Sequence, residues 1–372
     1  MTGIRVAHVV RDHGGLTEPF IHHRLLASAQ LAAGELWVER TAGGSPLPVR
    51  SIRHRLLAPG SAFDRVFHRF PSVGPPLARE YRAAERAFQP SVIHAHYATT
   101  GYLVGSVTNA PLVVNTYGFD VTVLARRGLW RKAYATLAQR AAAVVVEGPA
   151  MAEAVAALGF PRDRIAIVPI AAGFGGIERR PSAPDGPLRF IACGRFVEKK
   201  GHHLAIDAFS RLGPDLGPGA ELLIVGDGPL RESLQAAARA SGARITFSGP
   251  LPRPEFLAAL SRSHVFLAPS RTASNGDGEG GAPTTILDAQ AVGVPVVAST
   301  HADIPFLIED GATGYLANEN DAESLSATIR RALAERAGWP ALVAEAHSRM
   351  LRRNGDDVVA SQLLDLYRRV AR

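Results

Sequence analysis

Hydrophobic positions along this chain recur with two periods. Apolar runs of about four to eight residues, bounded by glycine, proline or charge, read as buried strands, whereas apolar residues spaced three and four apart read as one face of a helix. In the first half the strands fall at 4–10, 36–40, 92–96, 112–115, 143–147 and 164–169, and helical stretches at 20–32, 76–87, 129–140 and 151–158 separate most of them. A glycine- and proline-rich break at 174–187 reads as a linker, after which the pattern begins again. Its second round has strands at 189–193, 221–225, 244–247, 265–268 and 294–299, and helices at 202–212, 229–240, 253–262 and 283–292. Such alternation predicts parallel sheets covered by helices on both faces. The chain therefore reads as α/β, with two Rossmann-like doubly wound domains at 1–180 and 188–354 and a cleft between them. Asn354-Gly355-Asp356-Asp357 is a good start for a last helix, 355–372, which carries Val358, Leu363, Leu364 and Tyr367 on one face. That helix is expected to cross between the two domains.

Composition agrees with this division, because 372 residues exceed what one hydrophobic core usually holds. The single cysteine, Cys193, lies in an apolar run and is expected to fill core, so no disulfide can form within the chain. The N-terminus reads directly as strand without a signal peptide, and no apolar run reaches the roughly eighteen residues of a membrane span. A cytoplasmic protein is expected. Charge is uneven: residues 1–182 carry 21 Lys and Arg against 12 Asp and Glu (+9), and residues 183–372 carry 20 against 22 (−2). Part of the excess lies in 50–57 and 64–70, where cations alternate with apolar and aromatic side chains. Such segments are solvated arginine-rich faces or places of peripheral contact with an anionic membrane, here its inner face. No helix-turn-helix, zinc or RNP pattern accompanies the charge, so nucleic acid is not an expected partner.

Candidate chemistry lies at strand ends, where doubly wound sheets bind their ligands. Gly14-Gly15 follows the first strand and either lets backbone approach a ligand or forms a plain tight turn. His94-Ala95-His96-Tyr97 and Asn115-Thr116-Tyr117-Gly118-Phe119-Asp120 are polar strand ends. His94 and His96 alternate in the manner of a strand's two faces, and a metal site would need further ligands that the sequence does not reveal. For His96 the expectation is cleft lining or core packing. Only three of the 41 cations are lysines, Lys132, Lys199 and Lys200, and two of them close the segment Gly194-Arg195-Phe196-Val197-Glu198-Lys199-Lys200-Gly201. A planar arginine fork and a movable ammonium suit a diphosphate there. The loop Ser274-Asn275-Gly276-Asp277-Gly278-Glu279-Gly280-Gly281-Ala282-Pro283 brings Glu279 and free backbone N–H groups to the start of the helix at 283–292.

Taken together, Gly194-Arg195 through Lys200-Gly201, Val225-Gly226-Asp227-Gly228-Pro229, Phe247-Ser248-Gly249, Glu279-Gly280 through Ala291, Gly293-Val294-Pro295 and Asp310-Gly311-Ala312-Thr313-Gly314 keep one order and spacing over 189–335. This combination resembles the family-4 retaining glycosyltransferases of the GT-B fold. Leu16-Thr17-Glu18-Pro19-Phe20, His94-Ala95-His96 and Tyr117-Gly118-Phe119-Asp120 extend the resemblance more loosely into the first half, and Thr300-His301-Ala302-Asp303-Ile304-Pro305 resembles the branch that builds bacterial surface polysaccharides. The resemblance implies transfer of a sugar from a UDP- or GDP-sugar donor to a saccharide, lipid-linked or small-molecule acceptor, without a metal or other cofactor. It also implies roles for individual residues. Arg195 and Lys200 would hold the diphosphate beside Gly194, and Glu279 with Gly280, Gly281, Ala282, Pro283 and Thr284 the transferred sugar. Asp288 would hold the ribose, Phe247, Ser248 and Gly249 would line the base, and Gly14 and Gly15 would approach the diphosphate. His96, Tyr117 and Asp120 would line the acceptor or sugar cleft.

The chain departs from the family in three ways. One residue more separates Glu279 from Asp288, Gly281 being the addition; Asp288 stands where the family has glutamate; and Tyr117 stands where it has histidine. Tyrosine can donate a hydrogen bond to a sugar but is a poor base near neutral pH. The alternatives are an idle nucleotide-sugar-binding subunit, suggested by these departures, and a UDP-sugar epimerase on the same fold.

Overall fold

The computed structural model describes residues 3–13, 19–29, 32–41, 52–57, 77–171, 173, 177–180, 184–281 and 283–372. Contacts gather the chain into two units, Met1–Gly173 with Asn354–Arg372, and Phe174–Arg353. Among the described residues of the first unit seven strands, β1 (Arg5–His13), β2 (Ala33–Thr41), β3 (Ile52–Leu56), β4 (Val92–His96), β5 (Leu112–Asn115), β6 (Ala143–Val146) and β7 (Ile165–Ile167), form a sheet in the order β3-β2-β1-β4-β5-β6-β7. Every pairing in it is parallel. Helices cover both faces, which is why β4 is buried along its whole length and reads as an unbroken run. Ala7, Val9, Ile93 and Val114 meet Trp37, Tyr81, Trp130 and Tyr134 on one side, while Val6, Val92 and Val113 meet Ala27 and the terminal helix Asp356–Val370 on the other.

That terminal helix belongs to the first unit. Val359, Leu363, Leu366 and Tyr367 enter its core, while Val358 is only half-buried. Asp356 and Asp357 in its first turn and Arg368 and Arg369 in its last complement the helix dipole. Just before it, Asn354 Nδ2 donates to the carbonyl of Ile170 at 2.9 Å. The basic stretch at 50–57 has a further explanation in the sheet. Ile52–Leu56 is the outer strand β3, whose alternation of apolar and cationic residues is the period of two expected of an edge strand. Arg55 there pairs with the buried Glu35 of β2 at 2.9 Å. The second basic stretch, 64–70, lies outside the described residues. No described helix is long and apolar enough to cross a membrane.

The second unit repeats the plan with β8 (Arg189–Cys193), β9 (Glu221–Val225), β10 (Ile245–Gly249), β11 (Val265–Ala268), β12 (Val296–Ser299) and β13 (Tyr315–Ala317), in the order β10-β9-β8-β11-β12-β13 and again all parallel. Phe190, Ala192 and Leu267 pack with Phe209, Leu325 and Trp339 on one face, and Ile191, Phe266 and Val296 with Ile286, Ala289 and Leu260 on the other. Strand order reverses between β1 and β4 in one sheet and between β8 and β11 in the other. These are the places where doubly wound sheets open a crevice for ligands.

Candidate functional site

In the second unit the loops after β8, β9 and β10 are stitched together at the switch point. Gly194 N donates to the Val225 carbonyl at 3.0 Å, Phe196 N to that of Asp227 at 2.7 Å, and Gly226 N to that of Gly249 at 3.0 Å. The Gly226-Asp227-Gly228 turn follows from this closeness: Gly226 has φ of 136°, and a Cβ there would lie 2.0 Å from the Gly194 carbonyl oxygen. A short turn, Glu198–Lys200, then delivers the two lysines ahead of the helix His202–Leu212.

The lysines divide their work. Lys199 is buried and donates to Asp277 Oδ1 at 3.1 Å and to the Gly278 carbonyl at 3.0 Å, tying down the glycine-rich loop. Lys200 Nζ lies 2.8 Å from Glu279 Oε1, and their side chains are 18% and 9% exposed. Ser270, just past β11, donates its hydroxyl to the same carboxylate at 2.9 Å. Burial alone would raise the Glu279 carboxyl, but Lys200, Lys199 and the Ser270 hydroxyl hold it below the usual glutamate value, so it stays ionised. Its backbone is fixed as well: Glu279 N donates to His301 Nε2 at 3.0 Å, and His301 Nδ1 lies 3.1 Å from Glu319. Glu319 also accepts from Thr272 N at 2.6 Å, so one carboxylate steadies both arms of the loop. The expectation from sequence includes Lys200 and Glu279 but not Lys199 as an anchor, nor Ser270, His301 and Glu319. The position of Ser270 at a strand end was the available signal for it, and the histidine and glutamate meet the loop only through the fold.

The helix Thr284–Val292 starts one residue later than its sequence suggests, with Pro283 at its N-cap, no side chain capping it, and Gly293 at φ 84° closing it. Gly280 is half-buried and Gly281 and Pro283 are buried at its approach; Ala282 lies outside the described residues, as do Gly14 and Gly15. Asp288, on the second turn, is gripped by Arg253, whose Nε and Nη2 lie 3.2 and 2.8 Å from Oδ1. Burial raises the Asp288 carboxyl and Arg253 opposes that rise. Phe247 packs partly buried, edge-on to Phe196 at 6.0 Å, and the exposed Ser248 donates to the Gly249 carbonyl. Arg195 is exposed, and its guanidinium meets no partner among the described residues. Burial pushes the Cys193 thiol up to about 12, which leaves it inert as a nucleophile.

In the first unit Tyr117 is half-buried and its hydroxyl lies 2.7 Å from His96 Nδ1. Asp120 is buried: Oδ2 accepts from Ala98 N at 2.9 Å and Oδ1 from Tyr117 N at 3.1 Å, so it starts the helix Ala98–Gly105 and holds the turn after β5. Burial raises the Asp120 carboxyl against the pull of those N–H groups. Between these elements Tyr97 sits at φ 76°, a costly conformation for a tyrosine. The expectation that His94 and His96 alternate across the strand is corrected: residues two apart share a face, and their rings stack at 4.8 Å between centroids. His8 of β1, which nothing in the sequence singles out, joins them because β1 and β4 are neighbours and His8 lies opposite His94.

Two family models match the chain. One described as "Glycosyl transferases group 1" covers residues 177–355, and one described as "Glycosyl transferase 4-like domain" covers residues 3–171. Among curated proteins, the putative colanic acid biosynthesis glycosyltransferase WcaL of Escherichia coli (strain K12) is 30% identical over 247 residues, covering 64% of this chain and 60% of WcaL. The amylovoran biosynthesis glycosyltransferase AmsK of Erwinia amylovora is 35% identical over 187 residues, 50% of this chain and 46% of AmsK. The matched part thus spans about 60% or less of these relatives. Among solved structures, sucrose-phosphate synthase from Thermosynechococcus elongatus superposes with a TM-score of 0.78 at 20% identity, over 98% of both chains. HepE of Anabaena, in complex with UDP and glucose, reaches 0.74 at 16% identity over 97% of this chain and 98% of its own. At these identities the likeness is one of fold, and that fold is GT-B.

Proposed function

Because the chain belongs to the group 1 glycosyl transferases with a 4-like N-terminal domain, we propose that it moves a sugar from a nucleoside-diphosphate sugar to a hydroxyl group with retention of configuration. The acceptor is a glycan, a glycolipid or a natural product of surface-polysaccharide or lipopolysaccharide assembly, the setting named for several relatives. The observation that carries this reading is the Lys200, Glu279 and Ser270 cluster beside the helix at Thr284, at the switch point of the second sheet.

An ammonium has three N–H donors, and its bond to Glu279 leaves others for a phosphate oxygen. Lys200 therefore offers charge to the departing diphosphate, assisted by Arg195, whose guanidinium has no partner among the described residues. Fixed charge of this kind stabilises a leaving group without reorganisation at the moment of reaction. Glu279 is ionised and held from both sides, which suits it to orient sugar hydroxyls. Asp288, with Arg253 behind it, presents its carboxylate to the ribose, and the Phe247 and Ser248 strand end lines the base. The acceptor's proton passes to the leaving phosphate in a same-face substitution, which assigns no base role to Tyr117.

Names of neighbours mention UDP-glucose and GDP-mannose, so both nucleotides belong in the test. Labelled UDP- and GDP-sugars are offered with oligosaccharide and lipid-linked acceptors in the presence of a chelator, and transfer with retention is the expected result. Folded protein that binds neither nucleotide sugar nor nucleoside diphosphate, by thermal shift and calorimetry, sinks the proposal. Within it, His301→Ala is expected to reduce kcat about tenfold with little change in nucleoside-diphosphate affinity, because it frees the Glu279 backbone without touching Lys200 or Arg195. Equal losses in nucleotide affinity and kcat would place His301 elsewhere.

A further inference from the structure

We infer that His8, His94 and His96 form a binding site for a divalent transition-metal ion of the zinc class, at the switch point of the first sheet. All three side chains are fully buried, and each offers one ring nitrogen such that the three atoms lie within 4.8 Å of one another. His8 Nδ1 and His96 Nε2 are 3.3 Å apart. Two nitrogens at a zinc bond length of about 2.0–2.1 Å in a tetrahedron are separated by about that distance, and the wider spacing among the three, up to 4.8 Å, has to close toward it when an ion binds.

The remaining ring nitrogens are all occupied. His8 Nε2 lies 2.9 Å from Ser28 Oγ, His94 Nδ1 2.7 Å from the Tyr367 hydroxyl, and His96 Nδ1 2.7 Å from the Tyr117 hydroxyl. Ligating histidines are characteristically oriented in this way through their second nitrogen. Among the described residues His94 Nε2 and Asn115 Oδ1 make no hydrogen bond of full geometry, although the Asn115 side chain lies close enough to act on the His94 ring. A metal ion would engage His94 Nε2.

Arg24, buried beside the cluster and bonded to the Val168 and Pro169 carbonyls, opposes any cation there. The site therefore selects by imidazole chemistry, favouring Zn2+ or Co2+ over Mg2+ and Ca2+, and binds more weakly than an unopposed trio. Tyr117, half-buried, lies against His96.

Tag-free full-length protein, stripped with chelator, is titrated with Co2+ and then Zn2+. The expected result is one equivalent, visible absorption of a tetrahedral Co2+ centre, and its loss on adding Zn2+. His94→Gln is expected to weaken Co2+ at least about tenfold while His347→Gln, a histidine of the second unit, leaves it unchanged. Circular dichroism of the metal-free variants confirms that they are folded. If wild type shows no such absorption, or if folded His94→Gln binds as wild type does, the assignment is wrong. Should His94→Gln not fold, stoichiometry and absorption of the wild type decide alone.

Discussion

Lys200→Ala is expected to lower sugar transfer about 10²- to 10³-fold, the scale set by removing one fixed group from a developing charge. It should also cost about 2 kcal/mol of stability near neutral pH, because it strands a nearly buried carboxylate. The two effects separate by pH. In the wild type the Glu279 carboxyl lies below the ordinary 4.5, so its contribution is present above that value and is lost as pH falls through the lowered one. Without Lys200, burial is opposed only by Lys199 and the Ser270 hydroxyl, so the carboxyl rises relative to the wild type. The variant therefore gains less from ionised Glu279 than the wild type does. The stability gap between the two proteins should therefore be widest near pH 7 and narrow below about pH 4.5, whereas the transfer defect persists at every pH where the wild type works. Chemical unfolding at several pH values, beside kcat/KM, checks both parts. A variant within threefold of wild type in transfer removes Lys200 from the diphosphate.

How much of this was legible depends on which forces acted locally. Val92–His96, Leu112–Asn115, Arg189–Cys193, Glu221–Val225 and Val265–Ala268 are readable to the residue, because strands covered on both faces become short apolar runs cut off by polar or turn residues. The helix Ala98–Gly105 is not, since its start depends on Asp120, a residue distant in sequence, and on Tyr97 in an unfavourable conformation. Ala322–Ala334 does carry a local signal, the Asp321 side chain accepting from Ser324 N, which the periodicity reading leaves unused. Tyr315–Ala317 is too short to show a period. The same division runs through the sites. Lys200 and Glu279 are marked by unusual residue choice and by loop composition. His301, Glu319 and Arg253 reach their partners through strand order and helix packing, and His8 is distinguished only by the adjacency of β1 and β4.

Gly201→Ala is expected to abolish most transfer although every charged group remains in the sequence. Gly201 sits at φ 63°, and a Cβ there would lie 1.8 Å from the Pro269 carbonyl oxygen, so backbone has to move. The left-handed conformation costs about 1 kcal/mol for alanine and forced displacement of packed backbone about 1–3 more, for a total of about 3 kcal/mol. The direction of that displacement matters more than its cost. Gly201 follows Lys200, Pro269 precedes Ser270, and Arg271 N donates to the Lys199 carbonyl at 2.8 Å, so the two segments that grip Glu279 meet at this glycine. Parting them by an ångström misplaces the ammonium and the hydroxyl together, and misplacement on that scale costs about 10²-fold. Gly242→Ala supplies the control, since Gly242 has nearly the same φ, 65°, with nothing within 4 Å of the added carbon. It should lose only the conformational part, about 1 kcal/mol, and keep wild-type kcat. Thermal unfolding and transfer rates of the two variants side by side isolate the clash from the dihedral. Equal damage from both would mean that the contact between these segments does not set the position of Lys200.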